Sequence, residues 1–255
     1  MIKTIFTILV FITFRVFTAQ AQVINIEDII LRLNDTINFS GFINANFSLS
    51  QATNRVLVFH NDFQIEKRVS RNFFLGIGSY NFISSDNNDF VNDNSLHLRY
   101  NYEFHHRYFG ELYVQTQNSP LSTIIARNLA GVGVRIKIQH GIIFRSYVGV
   151  GYINENNKFL GDSVFYNYNR LNTYLSYNWD ITPVLHLIQT IYYQPNFASI
   201  HNFRVSTKAS LVCKISKHFS FNSTLNLETL NIQIVNDRNL RKNAYTWSNG
   251  LRYDF

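Results

Sequence analysis

Cysteine, proline, charge and long apolar runs are all scarce in this chain of 255 residues. A single cysteine, Cys213, excludes an intramolecular disulfide, and only three prolines interrupt the chain, so long regular elements are possible. Charged residues make up 15% of the sequence, against about 25% in a typical soluble domain. No run of about eighteen apolar residues occurs, which excludes membrane-spanning helices. The composition therefore fits neither an ordinary soluble domain nor a helical membrane protein.

The N-terminus has the features of a secretory signal peptide. Lys3 precedes an apolar segment at 4–14 (TIFTILVFITF), which is too short to cross a membrane as a helix. Ala19-Gln20-Ala21 is an A-x-A cleavage site. We therefore expect residues 1–21 to be removed on export, leaving Gln22 as the first residue. The following segment, 22–34, is predicted to be a periplasmic helix, a plug in a lumen or an extra edge strand.

The remainder of the chain is rich in residues that alternate between apolar and polar. At the C-terminus, from Asn243 to Phe255, the apolar positions are Tyr245, Trp247, Leu251, Tyr253 and Phe255. A period of two indicates a strand with one apolar and one polar face. About twelve such runs occur, mostly of ten to fourteen residues, whereas soluble strands usually have five or six. Runs of this length are typical of transmembrane strands.

The connections between these runs also point to a membrane barrel. Short connections follow the second, fourth, sixth, eighth and tenth runs, and long polar segments at 84–94, 156–165 and 230–242 follow the third, seventh and eleventh. Short turns at one end and longer loops at the other are typical of outer-membrane barrels with periplasmic termini. We therefore predict an all-β fold for residues 35–255: a transmembrane antiparallel up-and-down barrel of about 12 strands, with short periplasmic turns and longer extracellular loops.

Several segments resemble a known barrel family. They are Asn34-Asp35-Thr36 leading to Ser40-Gly41, residues 128–135 (NLAGVGVR), residues 149–155 (GVGYINE), residues 192–195 (YYQP) and the terminal residues 251–255 (LRYDF). With these, the chain resembles Gram-negative outer-membrane barrels, and more narrowly the family of unknown function typified by a salt-induced outer membrane protein, in a form familiar from Bacteroidetes. The resemblance implies an outer-membrane location, contact with outer-membrane lipids, and a C-terminal insertion signal, Tyr253 and Phe255, for the barrel assembly machinery. It implies no agreed activity.

The alternation also assigns charged residues to the lumen. The basic candidates are Arg68, Arg99, Arg127, Arg135, Lys137, Arg145, Arg170, Arg204, Lys208, Lys214 and Arg252, and the acidic ones are Asp62, Glu66, Glu103, Glu111, Glu155, Asp180, Glu228 and Asp254. Because basic residues outnumber acidic ones, the lumen is mildly cationic, and rings of Arg and Lys select anions. One hypothesis is a small pore or binding barrel for anionic solutes. The preferred alternative is that these charges pair across strands and fill a narrow barrel.

The sequence contains no convincing catalytic, cofactor or metal motif. The pairs Gly131/Gly133 and Gly149/Gly151 lack the third glycine and the helix of a dinucleotide site, and are interpreted as bends of the barrel wall. The histidines lack the spacing of metal ligands. Lipid acyl hydrolysis needs a serine and a histidine placed together, and no G-x-S-x-G motif occurs. We therefore predict a protein that is not an enzyme, without cofactor, metal or nucleic acid. A lipid-modifying enzyme, a structural or partner-binding barrel and a soluble β protein remain the alternatives.

Overall fold

A computed structural model describes residues 39–51, 55–85, 91–119, 124–234 and 238–255. They form twelve strands: β1 Phe39–Gln51, β2 Arg55–Val69, β3 Asn72–Ser85, β4 Val91–His105, β5 Tyr108–Asn118, β6 Ile124–His140, β7 Phe144–Phe159, β8 Phe165–Asp180, β9 Leu185–Asn196, β10 Ser199–Lys214, β11 Phe219–Ile234 and β12 Arg238–Asp254. Within this part of the chain, no helix is long and apolar enough to cross a bilayer. The predicted signal peptide, 1–21, and the segment 22–34 lie outside the described residues.

The twelve strands close into a single antiparallel barrel in sequence order. Each strand pairs with its neighbours in the chain, and β12 returns to pair with β1. This closing seam is short, because β1 and β12 share four ladder pairs, from Phe42–Asp254 to Ala45–Leu251, whereas β11 and β12 share sixteen. Phe255 extends the seam by one step, since its backbone N–H donates to the Gly41 carbonyl at 3.0 Å and its carbonyl accepts from the Gly41 N–H at 3.1 Å.

The outer wall carries an apolar belt that includes every strand. Exposed apolar side chains, one from each of β1 to β12 in turn, are Ile43, Phe63, Phe74, Leu98, Leu112, Val134, Val150, Leu175, Ile191, Leu211, Leu225 and Leu251. A soluble protein does not expose a continuous apolar band of this extent. Lipid-facing strands of an outer-membrane barrel do so, because their outward residues meet hydrocarbon. The predicted transmembrane barrel is therefore confirmed, and a soluble β protein does not fit.

The two ends of the barrel differ, and we name them by their connections. The turn end is where the chain enters β1 and leaves β12, and its connections are 70–71, 106–107, 141–143, 181–184 and 215–218; the opposite end is the loop end. Short turns on the side of the termini are periplasmic in barrels of this architecture.

The polar segments predicted as long loops are mostly strand. Only two to five residues separate consecutive strands at either end. The ladder between β7 and β8 continues through such a segment, where outward-facing asparagine amides bond to one another across the two strands. Asn154 Nδ2 donates to Asn169 Oδ1 at 2.9 Å. Asn167 Nδ2 donates to Asn156 Oδ1 at 2.9 Å. The loops are therefore shorter than predicted, and the outward amides place the loop-end part of these strands outside the apolar belt.

Candidate functional site

The lumen of the barrel is filled by side chains. One inward residue from each of β1 to β12, in turn, is Asn44, Gln64, Leu75, Arg99, Glu111, Arg135, Glu155, Tyr174, Ile188, Ser210, Thr224 and Arg252, and none is more than 5% exposed. In a water-filled pore, the residues lining the wall are wetted. Here the inward face is buried on all twelve strands, so the interior is packed. This packed interior is the candidate site.

In the middle of the barrel, opposite walls touch. Leu75 and Ile77 of β3 pack in one apolar cluster with Tyr174 of β8 and Tyr192 of β9. In a closed ring of twelve strands, β3 and β9 are six strands apart and therefore face each other across the lumen. The two tyrosine rings also contact each other, with centroids 5.4 Å apart. We call these four residues the middle layer, and their side chains extend across the lumen at this level.

A charged pair is built against the middle layer. Arg99 of β4 forms an ion pair with Glu111 of β5, and both side chains are almost fully buried. The Tyr174 hydroxyl joins them, since it accepts a hydrogen bond from Arg99 Nη2 at 2.9 Å and donates to Glu111 Oε1 at 2.8 Å. Buried charges are tolerated when they are paired and hydrogen-bonded in this way. The pair therefore holds the tyrosine across the lumen.

Glycines on β6 and β7 give the tyrosine rings their space. Gly149 lies directly opposite Tyr174 in the β7–β8 register, and a Cβ at Gly149 would overlap the ring of Tyr174. Gly131 is related in the same way to Tyr113, whose hydroxyl accepts a hydrogen bond from Asn172 Nδ2 at 2.9 Å. These glycines shape the barrel wall by their lack of a side chain, which lets two large rings lie flat against it.

Towards the loop end, one carboxylate holds three guanidinium groups. Glu155 is contacted by Arg204 Nη2 at 3.0 Å, Arg127 Nη2 at 3.3 Å and Arg170 Nε at 3.4 Å. Arg204 also pairs through Nε with Glu228 at 2.9 Å. These five residues come from β6, β7, β8, β10 and β11. We call them the arginine cluster, which ties five strands together through the interior and contains one more positive than negative charge.

Towards the turn end, aromatic side chains fill the interior. Phe73, Phe109 and Tyr147 form one buried cluster, and the Arg135 guanidinium lies 3.9 Å from the centroid of the Tyr147 ring. The Arg252 guanidinium lies 3.7 Å from the ring centroid of Phe42. Stacking on a ring face stabilises a desolvated guanidinium. Rings and guanidinium groups therefore pack together inside this part of the lumen, and a cavity of about 440 Å³ lies beside them at the turn end, lined by residues that include Arg68, Arg71 and Glu103.

A small cavity remains between the middle layer and the arginine cluster. Its volume is about 30 Å³, and its lining includes His97, Tyr113, Arg127, Asn172 and Gln194. A space of this size with polar walls suits one or two buried water molecules. It is far smaller than a typical pocket for an organic ligand, which has about 300–1,000 Å³.

The structure places most of the predicted lumen residues in the packed interior. The buried ones are Arg99, Arg135, Glu155, Arg170, Arg204, Glu228 and Arg252, and the half-buried ones are Glu103, Arg145 and Lys208. Glu103 pairs with Arg68 at 3.7 Å and Arg145 with Asp180 at 2.9 Å, both at the turn end. Their role in passage of a solute stays a prediction. Tyr253 and Phe255 are exposed on the outer wall.

Sequence reasoning missed the apolar and aromatic half of this interior. Leu75, Ile77 and Tyr192 were not candidates, because the expectation of a polar lumen directs apolar residues to the lipid. Gly149, which faces the lumen, could have indicated a large side chain at this level, because a glycine in a strand often marks the close approach of another group. That group is the ring of Tyr174.

The inward histidines have partners other than serine. His97 Nδ1 is 3.1 Å from Gln115 Oε1, and His186 Nδ1 is 2.6 Å from Asp180 Oδ1. His60 contacts Asp62 and Asn81. Among the described residues, no group of three or more His, Cys, Asp or Glu side chains is arranged to hold a metal ion. The contacts of the histidines therefore serve the packed interior.

Comparison with known proteins gives a family and a fold. The sequence model of a family described as "Protein of unknown function, DUF481" matches residues 43–255. No curated protein matches the chain. An outer membrane channel from Pseudomonas putida F1 is similar in structure, with a TM-score of 0.54 and 9% identity over 91% of this chain and 99% of that one. The NanC porin is also similar, with a TM-score of 0.48 and 10% identity over 84% of this chain and 98% of that one. At these identities the likeness is one of fold.

Proposed function

The chain belongs to the DUF481 family of proteins of unknown function, and we propose that it is an outer-membrane barrel with a closed lumen, which serves as a structural or partner-binding component. Family membership brings no activity, so the proposal rests on the interior. The observation that carries it is the apolar cluster that joins Leu75 and Ile77 on one wall to Tyr174 and Tyr192 on the opposite wall. An open pore needs a continuous water-filled path, and this contact interrupts it.

The test is solute entry into vesicles that contain the folded protein. The wild type is expected to leave vesicles impermeable to chloride and to small sugars. The triple variant Tyr113→Ala, Tyr174→Ala and Tyr192→Ala removes the rings that cross the lumen, and is expected to admit small ions. Because the interior retains more basic than acidic residues, anions are expected to pass faster than cations.

The matched control removes rings from the outer wall. Tyr102→Ala and Tyr193→Ala delete two exposed, lipid-facing tyrosines, and these vesicles are expected to stay impermeable. Entry of ions through the wild type at a steady rate would contradict the proposal. An equal effect of the two sets of substitutions would show that leakage comes from a damaged bilayer contact rather than from an opened lumen.

A second candidate function is an anion channel that opens on a stimulus. The observation that favours it is the arginine cluster, in which three guanidinium groups, those of Arg127, Arg170 and Arg204, share two carboxylates, those of Glu155 and Glu228. A surplus of guanidinium groups would favour anionic solutes in an opened lumen. Recording wild-type conductance while voltage and ionic strength are changed distinguishes a gated channel from a barrel that stays closed.

We also propose that the protein is not an enzyme and that export follows the predicted route. In support of the first point, the inward His97 and His186 bond to an amide and a carboxylate. Incubation with phospholipid or lipopolysaccharide is expected to release no acyl chains.

For export, the mass of the purified protein is expected to correspond to a chain that begins at Gln22, and assembly is expected to depend on the barrel assembly machinery.

A further inference from the structure

In the part of the chain whose side chains the structure describes, exposed charge lies at the turn end of the barrel. Among the charged residues whose side chains the structure describes, five are exposed, and all five are cations: Lys67, Arg71, Arg107, Lys214 and Lys217. Each lies in, or within three residues of, the turn-end connections 70–71, 106–107 and 215–218. We call these five residues the basic rim. No described carboxylate side chain is exposed at either end.

The carboxylates near the basic rim already have partners. Glu103 pairs with Arg68 at 3.7 Å, Asp180 with Arg145 at 2.9 Å and Asp254 with Arg252 at 2.7 Å. None of these arginines belongs to the rim. The described side chains therefore leave the rim with a positive surface, and an anionic partner is the chemistry that this surface fits.

The basic rim borders the lipid-facing belt. Lys67 lies opposite Phe39 in the β1–β2 register and opposite Phe74 in the β2–β3 register, and both rings are exposed on the outer wall. Lys217 lies between the exposed side chains of Ile215 and Phe219. These cations are therefore at the level where hydrocarbon gives way to water, the level at which Lys and Arg extend towards lipid headgroups.

Arg107, in the turn between β4 and β5, is another rim cation next to exposed aromatic residues in the chain. It is followed by Tyr108, whose exposed ring packs against that of Phe104 with centroids 6.2 Å apart. Aromatic side chains that flank cations at a membrane boundary are typical of an interfacial girdle. Cation and ring together match the two parts of a phospholipid, a charged headgroup and an acyl chain.

We propose that the basic rim binds the anionic headgroups of phospholipids in the leaflet around the turn end. A phospholipid places its phosphate beside Lys67 and its acyl chain against Phe39 and Phe74. A polymer held away from the membrane would contact the cations without the rings, so the register of Lys67 favours lipid. The inference goes beyond a closed lumen and is independent of it, because the rim lies outside the packed interior.

The test measures lipid selectivity of the folded, full-length protein in phosphatidylcholine vesicles. Spin-labelled phosphatidylglycerol and spin-labelled phosphatidylcholine report, by electron spin resonance, the fraction of each lipid immobilised at the protein. We expect phosphatidylglycerol to be preferred about fivefold at low salt, which is the ratio for one cation–headgroup contact. The preference is expected to disappear in 1 M salt, where charges on exposed groups are screened.

Charge removal at the rim provides the matched comparison. The variant Lys67→Gln, Arg71→Gln, Arg107→Gln and Lys217→Gln is expected to bind both lipids equally, while Lys158→Gln, near the loop end of β7, is expected to keep the wild-type preference. Folding is checked by heat-modifiable migration on gels. An equal affinity of the wild type for both lipids would overturn the proposal, and this measurement does not depend on any variant.

Two other occupants would give different results. If the wild type shows no lipid preference but binds purified peptidoglycan through the same four cations, the partner of the basic rim is that polymer. If a preference appears only after Glu27→Gln, Asp28→Gln and Asp35→Asn, the acidic N-terminal segment covers the rim. Either result overturns lipid binding by the rim in the native protein.

Discussion

At the residue scale, the closing contact between the first and the last strand of the barrel depends on a glycine. A Cβ at Gly41 would lie 2.5 Å from the ring of Phe255 and 2.7 Å from the Gln64 carbonyl oxygen. Both distances are shorter than van der Waals contact, so any side chain displaces the ring or the strand. The last residue of the chain and the first strand therefore fit together only because position 41 has no side chain.

Replacing this glycine is expected to weaken the barrel. Gly41→Ala should lower the free energy of unfolding by about 1–3 kcal/mol, as overpacking in a dense contact does. Gly76→Ala is the matched control, because a Cβ there meets only Leu98 Cδ2 at an ordinary 3.7 Å, and it should change stability by less than about 0.5 kcal/mol. Urea unfolding of refolded protein in detergent measures both, and equal effects would argue against the closing contact.

Substitution of Glu155 is expected to lower the free energy of unfolding more than substitution of any other residue discussed. It is fully buried and contacted by three arginines, and Glu155→Gln leaves those guanidinium groups in the interior without their common counter-charge. Removing one partner of a buried ion pair costs about 3–5 kcal/mol.

Glu103→Gln is the comparison for Glu155. Its ion pair with Arg68, at 3.7 Å, lies near the turn end and is partly exposed, so its loss should cost less than about 1 kcal/mol. The same unfolding experiment ranks the two variants. A smaller effect at position 155 than at position 103 would show that the arginine cluster does not hold the strands together.

At the element scale, the seam between β1 and β12 is the weakest ladder of the barrel. It has four ladder pairs, all on the turn-end side of Gly250 and Asn46, whereas β12 is paired with β11 along almost its whole length. The loop-end half of β12 therefore has one paired edge and one edge without ladder partners in β1.

This asymmetry predicts a pattern of backbone hydrogen exchange. Amides of β12 between 239 and 249 that point towards β1 are expected to exchange faster than the alternate amides that point towards β11, because only the latter are held in a ladder. Exchange measured residue by residue by NMR in micelles gives the comparison within one strand. Equal protection of the two sets would mean that the seam is paired along its whole length.

The strands themselves were largely predictable from the sequence. For β5, alternation predicts 109–117 and the structure has Tyr108–Asn118; for β8 it predicts 166–180 and the structure has Phe165–Asp180. The length of β7 was not predictable in this way, because asparagine at 156 signals a loop until its partner on β8, Asn167, is known. A bond between outward amides of two strands is invisible in either strand alone.

At the scale of the whole molecule, the sequence predicts that charged side chains fill a narrow lumen, but it does not predict that apolar and aromatic side chains cross it. Alternation assigns Arg99 and Glu155 to the inward face, but it does not say that β3 faces β9. The cluster that joins Leu75 and Ile77 to Tyr174 and Tyr192 depends on strand number, on register and on closure of the ring together. The mildly cationic interior was foreseeable, while its closure by apolar and aromatic side chains was not.

Over the described residues, the barrel therefore has a packed interior inside an apolar belt, with exposed charge at the turn end. Its interior is held by ion pairs and rings that cross between strands, and its surface is divided between lipid-facing residues and a cationic border. This arrangement is the basis of the proposed role, in which the barrel stays folded in the membrane and meets partners with its outer surface and its ends.

Single-channel recording of the wild-type protein in a planar bilayer tests the closed lumen most directly. The measurement uses the full-length folded barrel in symmetric potassium chloride, with insertion verified by heat-modifiable migration of the same sample. The packed interior predicts a flat current trace over a range of applied voltages after insertion. Regular conductance steps that persist at low voltage would contradict it, because ions would then be passing through a lumen in which opposite walls are in contact.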